Sequence, residues 1–183
     1  MDLDVKKQPI IFLDYDGVII DSGSRLVTGS RDGFNSTSVG LIKRLQDKFN
    51  ALMVCSSRAH AKTKWHQQEF ALVLNSIELK FYQDDDFPMS WRTAPSRSLP
   101  NIDNLPKYES RGLYAKDWLD LHGYDWIEDP YIMIDDDFDF YPIDESRYHH
   151  VKGGELNGGF NFDDYIKVHD KLKITTGIMD VCY

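Results

Sequence analysis

The chain has 183 residues and a mass of 21.3 kDa, enough for one domain with a hydrophobic core but short for two. Its hydrophobic fraction of 42% is typical of a folded protein, and its net charge of −9 argues against general attraction to nucleic acids or anionic membranes. The two cysteines lack zinc or redox spacing, and no apolar run reaches the roughly 18 residues of a membrane span. We therefore predict a cytoplasmic protein without a membrane partner.

The first predicted element is a buried strand at Ile10–Leu13, where apolar residues follow one another without alternation. Such β-branched and aromatic runs are typical of strands covered on both faces in a parallel sheet. Asp14, Asp16 and Gly17 follow at its carboxyl end, where open α/β sheets place their ligand crevice. The alternative is that the two aspartates merely end the strand, because Asp is a common loop residue. Their functional interpretation therefore depends on partners further along the chain.

A short flap and a helix follow the first strand. The flap covers residues 18–35, and its residues 21–35 are predicted to form a loop or small hairpin, because they are rich in Gly, Ser, Asp and Arg and lack a sustained period. From Asn35 or Ser36, apolar residues recur at three- to four-residue steps as far as Phe49, and Asn50 ends the predicted helix.

The second predicted strand covers residues 51–55 and ends in the polar residues Ser56, Ser57 and Arg58. It repeats the design of the first strand, since a buried apolar run delivers polar groups at its end. The alternative is that the serines cap the next helix, and on their own they favour that explanation.

The middle of the chain is less regular. We expect a helix over residues 61–74 and a third strand over 77–82, followed by an irregular proline-rich loop over 83–110. The acidic run at 84–86 within that loop is typical of a solvated turn rather than of a metal site. A connection of this length inside a compact domain is often functional.

Arg111 begins a further predicted helix, which Gly123 terminates. The buried strand that follows, at residues 131–134, runs directly into three aspartates: Asp135, Asp136 and Asp137. Adjacent carboxylates at the end of a buried strand repel one another unless a cation lies among them. This run therefore predicts a metal site.

A short strand over 148–152 and a helix capped by Asn161 complete the predicted elements. His149 and His150 occupy adjacent strand positions that point to opposite faces, so they cannot easily ligate one metal. We interpret both, together with His169, as structural or surface residues.

With carboxylates after the first and fourth predicted strands and hydroxyls after the second, the chain resembles the haloacid dehalogenase-like (HAD) superfamily of aspartate-nucleophile phosphatases. The family's DxDGV motif is matched by Asp14, Asp16, Gly17 and Val18. Its second motif, an apolar strand ending in Ser or Thr, is matched by Val54-Cys55-Ser56, where CSS is similar to the CTS of 5′(3′)-deoxyribonucleotidases. Its fourth motif is matched by Ile134-Asp135-Asp136.

The third motif of the family usually supplies a lysine at the start of the helix before the last motif. Arg111 stands at that place here, and Lys116 is the alternative one and a half turns further on. Arginine and lysine contact phosphate with different geometry, so the choice affects how phosphate is held. Arg111-Gly112, Trp118-Leu119 and the run IDDDFD are similar to small HAD domains of RNA-repair enzymes and of stand-alone phage and bacterial proteins.

The resemblance implies a single α/β domain over residues 1–183, built as a Rossmann-like three-layer sandwich with a mostly parallel central sheet. HAD enzymes for small metabolites commonly carry a cap domain after the first motif or between the second and third. The first slot, at 18–35, is too short for one, and the second, at 58–110, is mostly accounted for by a helix, a strand and a loop. We therefore expect a capless or minimally capped, comparatively open site.

The resemblance also implies magnesium-dependent hydrolysis of a phosphomonoester. Asp14 is then the nucleophile that forms an aspartyl-phosphate, and Asp16 protonates the leaving group and later activates water. Mg²⁺ suits an all-oxygen site made of Asp14, the backbone carbonyl of Asp16, and Asp135 or Asp136.

Phosphate binding falls, by the same resemblance, to Ser56 and to Arg111 or Lys116. Further candidate substrate contacts are Gly17, Ser57 and Arg58. The expected substrate is a nucleotide or a nucleic-acid end, although the net charge of −9 opposes long polyanions. A homodimer in which the neighbouring subunit completes the pocket is an alternative to an open site. The alternative function is a catalytically impaired HAD-fold binding or regulatory protein, in which the altered third motif marks the loss of catalysis.

Overall fold

The computed structural model describes residues 7–29, 33–56, 77–87, 90–93, 110–152 and 158–178. Within these ranges, the strands are β1 Ile10–Leu13, β2 Leu52–Cys55, β3 Tyr131–Asp135 and β4 Tyr148–His150. The α-helices are α1 Ser22–Thr28, α2 Ser36–Phe49, α3 Arg111–Leu121 and α4 Phe162–Thr176. A short 3-10 helix, Glu145–Arg147, precedes β4.

The four strands form one parallel sheet in the order β2-β1-β3-β4. β1 lies in the interior of the sheet and all four of its residues are fully buried. This burial explains the unbroken apolar run in the sequence, because a strand covered on both faces has no solvent side to make polar. The predicted α/β class and the parallel sheet are confirmed.

Helices cover both faces of the sheet. Ile11 and Leu13 of β1 point into a core with α2 and α4, whereas Ile10 and Phe12 point into a second core with α3. Alternate residues of β1 therefore pack into two different cores, because successive side chains of a strand point to opposite faces of the sheet. The resulting helix–sheet–helix arrangement is consistent with a Rossmann-like sandwich.

The helix ends follow the predicted capping residues. The Asn35 side chain accepts hydrogen bonds from the backbone N–H groups of Thr37 and Ser38, and α2 ends at Asn50 in the left-handed conformation. Asn161 caps α4 in the same way. None of the helices in the described ranges has the length and apolar character needed to cross a membrane.

Two predicted elements are wrong. The flap at 18–35 contains the helix α1, which begins with a capping box between Asp21 and Ser24. Residues 77–82 form no strand, because Glu78 has a positive φ of 56° that interrupts an extended run. Only an isolated bridge joins Phe81 to Met53 of β2.

Several further predictions fall outside the described residues. The helix at 61–74 lies wholly outside them, and the loop at 83–110 is described only at 83–87, 90–93 and 110. Where the loop is described, the backbone of Trp91 and Thr93 makes hydrogen bonds with Cys55 of β2, so this part of the loop lies along the sheet edge.

The first turn of α3 is held against the segment that follows β3. The Ser110 hydroxyl, which caps α3, donates to the carbonyl oxygens of Asp139 and Tyr141. The backbone N–H of Gly112 donates to the Asp139 carbonyl at 3.2 Å, and a methyl group at Gly112 would overlap the carbonyl group of Phe140. The glycine at 112 thus permits a close approach of two backbones.

Gly112→Ala should destabilise the protein by about 2 kcal/mol or more, because backbone atoms must move to make room for the new methyl group. Gly40→Ala is a matched control, since Gly40 lies exposed on α2 with no atom within 4 Å of the added methyl group. It should stabilise by up to about 1 kcal/mol through helix propensity. Urea denaturation measures both variants. Equal stability of the two variants would contradict the close approach at Gly112.

Candidate active site

At the carboxyl ends of the four strands, one row of laterally paired positions is occupied by polar residues. Leu13 pairs with Cys55 on one side and with Ile134 on the other, so the next residues, Ser56, Asp14 and Asp135, lie side by side. The backbone agrees, since Ser56 N–H donates to the Leu13 carbonyl and Asp14 N–H to the Ile134 carbonyl, both at 3.0 Å. His150 pairs with Asp135 and completes the row.

Arg111, the first residue of α3, reaches into this row. Its Nη1 donates hydrogen bonds to Asp14 Oδ2 and, at 2.7 Å, to Asp135 Oδ2, while its Nη2 donates to Asp137 Oδ2 at 3.0 Å. The arginine side chain is only 10% exposed. A single guanidinium therefore ties together three carboxylates from two neighbouring strands.

Lys116, the other candidate cation, does not join this cluster. Its ammonium group forms an ion pair with Asp120 at 2.6 Å and lies 5.2 Å from the centre of the Trp126 ring. Among the described residues, no hydrogen bond or ion pair links Lys116 to the acidic row. Arg111 is therefore the cation that the fold brings to the site.

The cluster carries more negative charge than Arg111 neutralises. Burial, together with the charge of Asp14, raises the pKa of Asp135 well above its usual range, although Arg111 opposes that rise. Burial and the charges of Asp14 and Asp137 raise the pKa of Asp136 to about 6. Burial alone would lower the pKa of Arg111, but the Asp14 and Asp135 carboxylates outweigh it and raise that pKa.

These carboxylates fit a divalent cation. Asp14, Asp135 and Asp136 each offer an oxygen atom, and the three oxygens lie within 4.8 Å of one another. An all-oxygen donor set suits Mg²⁺, and a bound cation would remove the repulsion that raises the pKa of Asp135 and Asp136.

A tight turn after β1 carries Asp16 and Gly17. The Tyr15 carbonyl accepts hydrogen bonds from the backbone N–H groups of Ile19 and Ile20, at 2.9 and 2.8 Å. Gly17 has a φ of 77°, and a methyl group there would overlap the Asp136 carboxylate. A glycine at this position therefore permits both the turn and the close approach of Asp136.

The flap helix α1 supplies a second cation that the sequence analysis missed. Arg25 donates a hydrogen bond to Asp16, whose side chain is 37% exposed. The start of α1 is anchored because Asn35 Nδ2 donates to Asp21 Oδ2 at 2.6 Å and to the Gly158 carbonyl at 3.0 Å. The sequence feature that could have indicated Arg25 is its position one helical turn after Asp21, the residue that caps α1.

The predicted phosphate contacts are described in part. Ser56 is 2% exposed, and its hydroxyl has no hydrogen-bond partner among the described residues. A buried hydroxyl without a partner is costly, so an oxygen-rich ligand at the row would stabilise it. Ser57 and Arg58 lie outside the described residues.

The two adjacent histidines have different environments. His149 is buried, and its Nε2 lies 2.9 Å from Asp164 Oδ1, as expected of a structural residue. His150 instead lies at the end of the polar row, where Nε2 is 2.9 Å from the Asp136 carbonyl oxygen. Because a carbonyl only accepts, Nε2–H is the donor. The sequence alone could not reveal this, since it did not give the register of β4.

Comparisons of the chain with protein-family models, with curated proteins and with solved structures found no match. The chemistry of the site follows from its own residues. Aspartates, an arginine and a serine hydroxyl meet at the carboxyl edge of a parallel sheet, where ligands of open α/β sheets bind. Such a set can hold a divalent cation beside an anion and can present a carboxylate as a nucleophile.

Asp136→Asn should stabilise the metal-free protein at neutral pH. The folded-state pKa of about 6 lies above the ordinary value of 3.8, so ionisation of Asp136 removes stability as the pH rises between these two values, and the loss is complete above about pH 6. We expect a gain of about 1–2 kcal/mol at pH 7.5, after discounting for solvent screening, and a rise in Tm of about 3–6 °C. The gain should disappear as the pH falls to about 4. Thermal unfolding with a chelator at both pH values measures it.

Asp85→Asn is the matched control, because it removes one negative charge at an exposed position in the 84–86 run. It should change Tm little at either pH. If both variants gained equally, the effect would come from net charge, and the repulsion within the cluster would not be its cause.

Proposed function

We propose that this protein is a magnesium-dependent phosphomonoester hydrolase with a HAD-like fold, which acts through an aspartyl-phosphate on Asp14. The observation that carries the proposal is the bridge from Arg111 to Asp14 and Asp135 at the carboxyl edge of the sheet. That bridge joins the residues that the resemblance assigns to the first, third and fourth motifs. The substrate is proposed to be a nucleotide or a nucleic-acid terminal phosphate.

In the first step, a carboxylate oxygen of Asp14 attacks phosphorus, and the bond between phosphorus and the leaving oxygen breaks. Asp16 gives its proton to that leaving oxygen. Arg111 fixes the orientation of the Asp14 carboxylate, and the Ser56 hydroxyl donates to a phosphoryl oxygen. When bound by Asp14, Asp135 and Asp136, Mg²⁺ would supply positive charge that lets two anions approach each other.

In the second step, water attacks the phosphorus of the aspartyl-phosphate while Asp16 accepts a proton from it. The bond between phosphorus and the Asp14 oxygen breaks, and phosphate leaves with the carboxylate restored. Arg25 positions Asp16 through their ion pair, so α1 contributes to the geometry of proton transfer.

The flap supports the expectation of an open site on one side. α1 has seven residues and buries none of them, so the described part of the first cap slot, at 18–29 and 33–35, holds one short helix. An open site suits a bulky substrate such as a nucleic-acid end, by analogy with the family.

Asp14→Asn and Asp16→Asn should each abolish turnover of p-nitrophenyl phosphate with Mg²⁺, because each keeps the shape but removes the nucleophile or the proton carrier. The loss for Asp14→Asn should be at least about 10³-fold. Excess chelator should stop turnover by the wild-type protein, and added Mg²⁺ should restore that turnover. Near-normal turnover by Asp14→Asn, or turnover in excess chelator, would refute the mechanism. Asp85→Asn serves as the active control.

Arg111→Lys should lower kcat/KM by about 10²-fold or more, since one ammonium group cannot reproduce the contacts that Nη1 and Nη2 make with three carboxylates. Lys116→Ala should stay within about two-fold of the wild type, because Lys116 contacts Asp120. Thermal unfolding of both variants separates loss of activity from loss of fold. The opposite ranking of the two variants would assign the third-motif role to Lys116.

A second candidate function is a HAD-fold binding or regulatory protein without turnover. It is favoured by Arg111 itself, because an arginine is paired directly with Asp14 and Asp135 where the family usually has lysine. Phosphate release from a panel of nucleotides, sugar phosphates and phosphorylated oligonucleotides decides between the two functions. Mg²⁺ binding without any release across the panel would support the second.

A further inference from the structure

The segment after β3 is fastened to β4 by two ring contacts and two hydrogen bonds. The rings of Phe140 and Tyr148 stack with centroids 4.2 Å apart, and those of Phe138 and His150 lie 3.8 Å apart at 36°. Tyr148 OH donates to the Asp137 carbonyl, and His150 Nε2 donates to the Asp136 carbonyl. The segment that carries the acidic residues therefore also holds Phe138 in a defined position.

Phe138 is not held there by core packing. It is 73% exposed, whereas Phe140, two residues later, packs against the core on the α3 side. The Phe138 ring contacts His150 at a tilt of 36°, and its exposure leaves most of the ring surface open to solvent. An exposed aromatic ring supported in this way is suited to stacking with another flat ring.

The open ring lies beside the proposed catalytic row. His150, which supports the ring, pairs with Asp135 and lies two strands from Asp14, a spacing of about 10 Å. This backbone spacing leaves room for a sugar between a phosphate at Asp14 and a base beside His150.

We propose that Phe138, backed by His150, is the surface on which the nucleobase of the substrate stacks. This stacking proposal rests on the proposed function. It specifies the substrate class as nucleotides and nucleic-acid ends rather than sugar phosphates. Stacking also suits the acidic surroundings, because a neutral base binds without the repulsion that a phosphate chain meets in a protein of net charge −9.

The test compares Phe138→Ala, Phe138→Leu and Phe138→Trp with the wild type on a nucleoside monophosphate, a phosphorylated oligonucleotide and glycerol phosphate. The ratio of kcat/KM for the nucleotide to that for glycerol phosphate should fall by about 10- to 100-fold in the Ala and Leu variants, mainly through KM. The Trp variant should keep the ratio. The Leu variant separates ring stacking from apolar bulk, because leucine keeps the bulk without the ring.

Phe162→Ala is the matched control, because Phe162 is also exposed, at 61%, and stacks on Tyr165 in α4, across the sheet from α3. It should leave the ratio unchanged. If Phe138→Ala leaves the nucleoside monophosphate ratio unchanged, or if Phe162→Ala lowers it equally, the proposal is overturned. A fall with the nucleoside monophosphate alone assigns the stacked base to a free nucleotide, and a fall with the oligonucleotide as well assigns it to nucleotides and nucleic-acid ends alike.

Binding without turnover separates this proposal from the proposed catalysis. Calorimetric titration of Asp14→Asn with the nucleoside monophosphate and Mg²⁺ should show binding that weakens about 10- to 100-fold when Phe138→Ala is added. That result supports the stacking surface even if the wild type hydrolyses nothing. Equal affinity of the two proteins would overturn it even if the wild type is an active phosphatase.

Discussion

Two carboxylates buried side by side are unfavourable unless a cation lies between them, and this constraint organises the molecule. Asp14 and Asp135 are each 1% exposed and lie on adjacent parallel strands. Arg111, the first residue of α3, supplies this cation by donating hydrogen bonds to both carboxylates. The cap at Ser110 and the close backbone approach at Gly112 hold α3 where its first residue can do this.

Arg111 neutralises the cluster only in part, so a net negative charge remains that a bound cation would stabilise. One guanidinium faces the carboxylates of Asp14, Asp135 and Asp137, and Asp136 lies beside them. Evolution commonly accepts such local instability at functional sites, because the same unmet charge that weakens the fold attracts a cation. The raised pKa of Asp136 is the measurable sign of this cost.

The sequence revealed the features that depend on local pattern. Buried strands appear as continuous apolar runs, so β1, β2 and β3 could be predicted, together with the aspartates that end β1 and β3 and the serine that follows β2. The helix α1 could not, because it has seven residues and no buried face to give a hydrophobic period. The absence of a strand at 77–82 could not be predicted either, because it depends on the left-handed conformation of one residue, Glu78.

Other features depend on how elements dock, which a single sequence does not state. Arg111 and Lys116 lie five residues apart on one helix, which places them about 140° apart around its axis. Only one of them could face the acidic row, and the docking of α3 decides which. His150 joins the site for a similar reason, since the register between β3 and β4 sets its place beside Asp135.

The polar row Ser56, Asp14, Asp135 and His150 has a consequence for how this chain can change over time. Because neighbouring strand residues point to opposite faces, adding or deleting one residue within β1 or β3 would turn its aspartate toward α2 and α4. An apolar neighbour would then meet Arg111. Substitutions that keep the strands apolar are compatible with the site. A single insertion or deletion of an apolar residue in a strand would disrupt the site, although every residue of the polar row would still be present in the chain.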